Sequence, residues 1–264
     1  MFDELRADRR LLIAADMESY SSRDNVLQYR AQRGFHDVMN AAARRLGLDR
    51  LQWVTQQNGD GELAILPEGT DETRIVTTLP PVVDRLLRDY NRGLAAEARV
   101  RLRIALHEGL VHLDGANGFP GEAIVTVCRL VDSSAAKRAL KVFPNANVAL
   151  IVSDRIYRDV VRHYHDLRPE RFQRVTAQVT GKNFGEPAWI YVPDEDATKV
   201  SLDDSQPIAA PREHDAGTRP TGQRDTQATY GRITTHGPAA FGNGNIVAGH
   251  IGQVSPEWHG RGHD

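Results

Sequence analysis

Asn58-Gly59-Asp60-Gly61 is the feature that most narrows what this chain can fold into. It contains both Asn-Gly and Asp-Gly, the dipeptides that most readily adopt the positive φ angles of a tight hairpin turn. Short apolar-patterned segments flank it at residues 51–57 and 62–66, so two antiparallel strands are expected there. Upstream, residues 11–15 (Leu-Leu-Ile-Ala-Ala) are wholly apolar, the pattern of a strand buried on both faces. Between the two lies a helical pattern over residues 25–46, with Val26, Phe35, Val38, Met39, Ala42 and Leu46 read as one face and Gly47 as its stop.

The alternation continues downstream. Residues 71–92 read as helix, interrupted at Pro80-Pro81. Residues 99–113 begin as a strand with Val100, Leu102, Ile104 and Leu106 on one face and Arg99, Arg101 and Arg103 on the other. A helix of small residues is expected over 121–133 and a buried strand over 148–152. Ser153 or Asp154 can cap a helix reaching about Tyr164. Strands near 172–179 and 188–192 close the pattern. The order β-α-α-β-β-α-β, with additions, implies an α+β, ferredoxin-like fold: a mixed, largely antiparallel sheet with helices packed on it.

Composition matters at the C-terminal end. Residues 201–264 hold 10 of the 22 glycines and 5 of the 13 prolines but one leucine, Leu202. Such a segment buries too little apolar surface to offset chain entropy by itself. The expected organisation is a folded domain over 9–193, a flexible linker over 194–228 and a Gly/Asn-rich motif over 229–264. That last piece, with Phe241-Gly242-Asn243-Gly244-Asn245, reads either as a solvated tail or as a strand-stacking segment. The latter resembles the amyloid-type signalling motifs of bacterial immune proteins and would recruit an effector.

Charge and cysteine content exclude several classes. The 33 Lys+Arg nearly balance 35 Asp+Glu, for a net charge of -2, which argues against a nucleic-acid binder held by global charge. Cys128 is the single cysteine, so neither an intrachain disulfide nor a cysteine-based zinc site is available. No apolar run approaches the roughly 18 residues of a membrane span. The first ten residues lack the apolar stretch of a secretory signal, so a cytoplasmic protein is the expectation.

Three residues could carry chemistry. Asp16 ends the buried strand and opens a turn, where a carboxylate can hold a cation while nearby N–H groups hold phosphate oxygens. Asp60 sits at the hairpin tip, and if the hairpin neighbours the first strand the two carboxylates can meet around divalent ions. Arg129, on the helix that Gly121 opens, is suited to charge developing on a phosphoryl group. Each also has a structural use: a helix cap, turn chemistry and a surface ion pair, respectively.

The segments LLIAADMESYS, QQNGDGELAIL, LRIALHEGLVHL, GFPGEAIVTVCRLVDSS and VTGKNFGEPAWIYV follow one another in an order that resembles the catalytic domain of the class III nucleotidyl (adenylate/guanylate) cyclases, over about residues 9–193. The resemblance implies a homodimer with sites at the interface. Two Mg²⁺ or Mn²⁺ ions per site would be held by Asp16, Met17 and Asp60. Tyr20, Gly59 and Lys182 would contact the nucleotide, and Arg129 from the other subunit would stabilise the transition state. The implied reaction is attack of the ribose 3′-hydroxyl on the α-phosphorus of a nucleoside triphosphate, releasing pyrophosphate.

Departures from the family pattern bear on the base. Gln56 stands where adenylate cyclases carry a lysine, Gly118 where they carry an aspartate or similar polar residue, and Val125 where the family has a transition-state asparagine. Loss of the purine-reading pair resembles the pyrimidine cyclases of bacterial anti-phage signalling (the Pycsar systems), which implies UTP or CTP as substrate. A purine cyclase and a catalytically silent nucleotide-binding module are the alternatives.

Overall fold

A computed structural model describes residues 7–116 and 118–203. The greater part of the expected linker and all of the Gly/Asn-rich motif, including Phe241 to Asn245, lie outside the described residues. Past residue 193 the chain stays packed as far as it is described, with Ala197 and Leu202 buried.

Seven strands form one sheet: β1 (Asp8–Met17), β2 (Val54–Gln57), β3 (Gly61–Ile65), β4 (Leu102–Val111), β5 (Val148–Ser153), β6 (Gln173–Gln178) and β7 (Gly185–Tyr191). Their spatial order is β2-β3-β1-β4-β5-β7-β6. The first four strands pair with one another antiparallel, with α1 (Asn25–Arg45) joining β1 to β2 and α2 (Glu72–Tyr90) joining β3 to β4. That is the expected ferredoxin-like arrangement. Strand β5 adds parallel to β4 after α3 (Glu122–Val131) and α4 (Ser134–Val142), and β7 and β6 extend the sheet antiparallel. α5 (Asp154–Asp159) follows β5.

Side chains alternate across β1, so the sheet has two cores. Leu11, Ile13, Ala15 and Met17 pack under α1 and α2. Leu12 and Ala14 pack under α3 and α4, whose Val127, Leu130, Ala135 and Leu140 cover the other face. Asp16 follows Ala14 in this alternation and so belongs to the α3/α4 face. α1 and α2 lie close together because Gly34 has no side chain: a Cβ there would sit 2.4 Å from the Tyr90 ring. The start of β4 is tied down by Asn91, which exchanges two 2.8 Å hydrogen bonds with the backbone of Val100. Among the described residues no helix is long and apolar enough to cross a membrane.

Three local expectations are corrected. Val26 is 59% exposed rather than on the buried face of α1. At 100° per residue it lies half a turn from Phe35, on the opposite side of the helix. α2 runs unbroken through Pro80 and Pro81. Their missing N–H groups cost backbone bonds, but the buried stripe of Ile75, Val76, Leu79, Val83 and Leu87 carries the helix across. α5 stops at Asp159, and a 3₁₀ turn over Val161–His163 replaces the longer helix expected to reach Tyr164.

His107, on β4, is held neutral by burial, with Arg155 adding to the effect and Glu108 opposing it, and its pKa falls to about 4. The unfolded imidazole takes up a proton near pH 6.5, whereas the folded one does so near 4. Stability is therefore lost as pH falls through this window. Urea unfolding is expected to show a loss on the order of 1 kcal/mol between pH 7 and 5, reduced in His107→Gln.

Candidate functional site

Asp16 stands where the β1–β3 ladder ends and one residue before the end of the β1–β4 ladder. It is opposite Gly61 of β3 on one side and Arg103 of β4 on the other. The glycine is required: a Cβ at Gly61 would come within 2.0 Å of the Ala15 carbonyl oxygen. This close approach brings the hairpin alongside β1, where the Met17 N–H donates to the Asp60 carbonyl at 2.8 Å. The turn closes on itself through the Asn58 N–H and the Gly61 carbonyl at 2.9 Å. The two aspartates that sequence reasoning paired are thus neighbours.

Electrostatics set Asp16 apart. Burial pushes its carboxyl up from the usual range. Arg103 pulls it back, through charge and a hydrogen bond, while Asp60 and Asp132 push it further up. Arg103 donates from Nη2 to Oδ2. The other oxygen, Oδ1, is buried with no hydrogen-bond partner. A buried carboxylate oxygen without a partner is costly, and a divalent cation is one way to satisfy it. Two carboxylates beside the backbone of Met17 are hard oxygen donors of the kind that suit Mg²⁺ or Mn²⁺. Among the described residues no group of three or more His, Cys, Asp or Glu could hold a metal alone, so substrate or water oxygens would have to complete the shell.

The segment after Asp16 turns sharply. Ser19 adopts a left-handed backbone with φ of 55°, and a 3₁₀ turn spans Tyr20–Ser22. Asp24 then caps α1 by accepting from the Leu27 N–H at 2.8 Å. Gln32, on α1, joins this turn to the hairpin: its Nε2 donates to the Tyr20 hydroxyl and to the Gly59 carbonyl, both at 2.8 Å. Sequence reasoning missed Gln32, since nothing in the helix pattern marks it. Gln56 and Gly118 also meet. A Cβ placed at Gly118, where φ is +94°, would lie 3.5 Å from Gln56 Oε1.

Arg129 and Lys182 form a second group. Arg129 lies in the last turn of α3, with its guanidinium 5.5 Å from the centre of the Phe184 ring. Lys182 lies between β6 and β7, close enough to Cys128 to oppose the rise that burial causes in the thiol pKa. Among the described residues no hydrogen bond or ion pair joins either cation to Asp16 or Asp60. Val125, one helical turn before Arg129, is 45% exposed.

The hairpin has a buried brace. Glu62 is 1% exposed at its side chain and receives both ends of the Arg50 guanidinium, at 2.8 and 2.5 Å. Arg50 also donates to Asn40 at 3.1 Å and lies 4.8 Å from the Trp53 ring centre. A cleft of about 370 Å³ opens between α1 and the hairpin, lined in part by Met17, Gln32, His36 and Gly59. Neither aspartate lines it.

No protein-family model matches the chain, and no curated protein matches it in sequence. Among solved structures it is similar to an adenylate/guanylate cyclase/hydrolase from Silicibacter pomeroyi, at 19% identity over 72% of this chain and 99% of that one, with a TM-score of 0.49. It is similar also to the guanylyl cyclase Cya2, at 14% identity over 72% of this chain and 95% of that one, with a TM-score of 0.47. A third is the adenylyl cyclase CyaB from P. aeruginosa, at 11% identity over 72% and 97%, with a TM-score of 0.45.

Removing Arg50 would strand the Glu62 carboxylate in the core. Arg50→Ala is expected to lower unfolding stability by about 3–5 kcal/mol, and the paired change Arg50→Met with Glu62→Leu to recover most of it. Urea midpoints of the two variants check this.

Proposed function

We propose that this chain is a metal-dependent nucleotidyl cyclase, a phosphorus–oxygen lyase that converts a nucleoside triphosphate to a 3′,5′-cyclic mononucleotide and pyrophosphate. The observation that carries the reading is the buried, partnerless Oδ1 of Asp16 beside Asp60. Asp16 and Asp60, with the backbone of Met17, would hold Mg²⁺ or Mn²⁺, two ions per site. When bound, the metal supplies Lewis acidity that favours the 3′-alkoxide and offsets charge on the α-phosphate.

The chain's own residues do the rest. Tyr20 and Gly59, held together by Gln32, present the turn and the hairpin tip to the triphosphate. Holding the 3′-hydroxyl in line with the α-phosphorus removes most of the entropic barrier. Among the described residues neither Arg129 nor Lys182 bonds to Asp16 or Asp60 of its own chain, which favours a homodimer in which the partner subunit's Arg129 meets the developing phosphoryl charge.

Gln56 faces Gly118 in the position proposed to read the base. Its amide both donates and accepts, so it can pair with the polar edge of uracil or of cytosine. That amide could also read a purine edge; it is the lack of a lysine at Gln56 and of an acidic residue at Gly118 that makes UTP or CTP the proposed substrate, with a cytoplasmic second messenger of anti-phage defence as the proposed product role. Exposed Val125, which supplies no amide donor, favours a second reading: a nucleotide-binding signalling module without turnover.

Incubation of the full chain with each of ATP, GTP, CTP and UTP plus Mn²⁺ is expected to yield a cyclic pyrimidine nucleotide, detected by mass spectrometry and absent with Asp60→Asn. A cyclic purine would retain the cyclase and remove the pyrimidine assignment. No product from any nucleotide would favour the silent module. Arg129→Ala is expected to lower kcat by at least about 10²-fold with a smaller change in KM. Mixed with Asp60→Asn, it should recover about a quarter of wild-type turnover, because half of randomly paired dimers carry one intact site of two. Failure to complement would place the arginine within its own chain's site.

A further inference from the structure

Arg103 is a residue that neither turn chemistry nor the proposed reaction assigns. It faces Asp16 across the β1–β4 ladder, and its side chain is only 9% exposed. Same-face partners on adjacent antiparallel strands sit within side-chain reach of each other, so the contact is built into the register. The guanidinium could have gripped the carboxylate with two parallel bonds, as arginine often does. Here Nη2 alone donates to Oδ2, the Nε is buried with no partner, and Oδ1 is left bare.

The strand beneath this contact is anchored. Two residues earlier, Arg101 donates from Nε to the Ala146 carbonyl at 2.7 Å and from Nη2 to the Leu140 and Phe143 carbonyls at 2.5 and 2.8 Å. Its Nη1 pairs with Glu18 at 2.8 Å. These bonds tie β4 to the C-terminal end of α4 and to the turn after Met17. Arg103 therefore acts from a fixed base, and its charge opposes those of Asp60 and Asp132 on Asp16.

We infer that Arg103 is a positioning residue: by holding Oδ2 of Asp16 through one hydrogen bond, it keeps the buried Oδ1 clear of other protein partners as a preset cation ligand. This rests on the metal role proposed for Asp16, not on turnover. The competing account is that Arg103 occupies the cation's place and must be displaced. The two accounts predict opposite signs. Removing a positioning residue weakens metal binding, typically by 10–100-fold, whereas removing a competitor strengthens it.

The test is Mn²⁺ titration of the full chain without nucleotide, followed by the loss of the free-ion EPR signal. Wild type, Arg103→Gln, Arg103→Lys and Asp16→Asn are compared, and urea midpoints confirm that each variant is folded. Binding that depends on Asp16, is at least about tenfold weaker in Arg103→Gln and lies between the two in Arg103→Lys would support the role. Unchanged or tighter binding in Arg103→Gln would overturn it, as would wild-type binding insensitive to Asp16→Asn. Should the Gln variant not fold, Arg103→Lys decides alone: weaker binding than wild type supports the role, and equal or tighter binding overturns it. A chain that binds Mn²⁺ in this way yet makes no cyclic nucleotide would refute the cyclase reading and leave this one standing.

Discussion

Strand β1 is bonded on both sides: ten residues pair with β4 and five with β3. The tighter of these contacts is at Gly61, where the hairpin lies so close to Ala15 that no side chain fits. Everything at the candidate site depends on that approach. It sets Asp60 beside Met17 and leaves Asp16 between two strands, with backbone partners that cannot shift without breaking a ladder. A site built on the ends of central strands is held more firmly than one built on loops alone, because its geometry is shared with the core.

Burial then gives the site its electrical character. Taking the Asp16 carboxylate out of water is unfavourable, and two nearby carboxylates make it more so. Arg103 offsets part of this from the neighbouring strand. What remains is an oxygen with no partner in a region of surplus negative charge. Among the described residues no hydrogen bond or ion pair joins it to Arg129 of α3 or to Lys182 of the β6–β7 turn.

Much of the fold was legible from local signals. The apolar run of β1, the Asn-Gly-Asp-Gly turn and the alternation at the start of β4 each depend on near neighbours in sequence. Local rules therefore placed Asp16 at a strand end and Asp60 at a turn. The expected helical face fails at Val26, which at 100° per residue lies opposite Phe35 on its helix. Local rules also overstated Pro80 and Pro81, because a helix with a long buried stripe tolerates two lost backbone bonds. The supporting residues were not legible at all. Gln32 reaches back 12 residues and forward 27, and Arg103 meets Asp16 across 87. Glu62 reads as an ordinary polar residue of a short strand until Arg50 is folded over it.

By itself, then, the sequence determined where most of the strands, helices and turns lie, and which residue types stand at their ends, since these follow from periodicity and backbone preference over a few residues. Only the tertiary structure decided which of those ends meet. It chose one oxygen of Asp16 for Arg103 and left the other free, and it set Gln56 against Gly118. Such choices come from strand register and close packing, which join residues far apart in the chain and leave no mark on the pattern around any one of them.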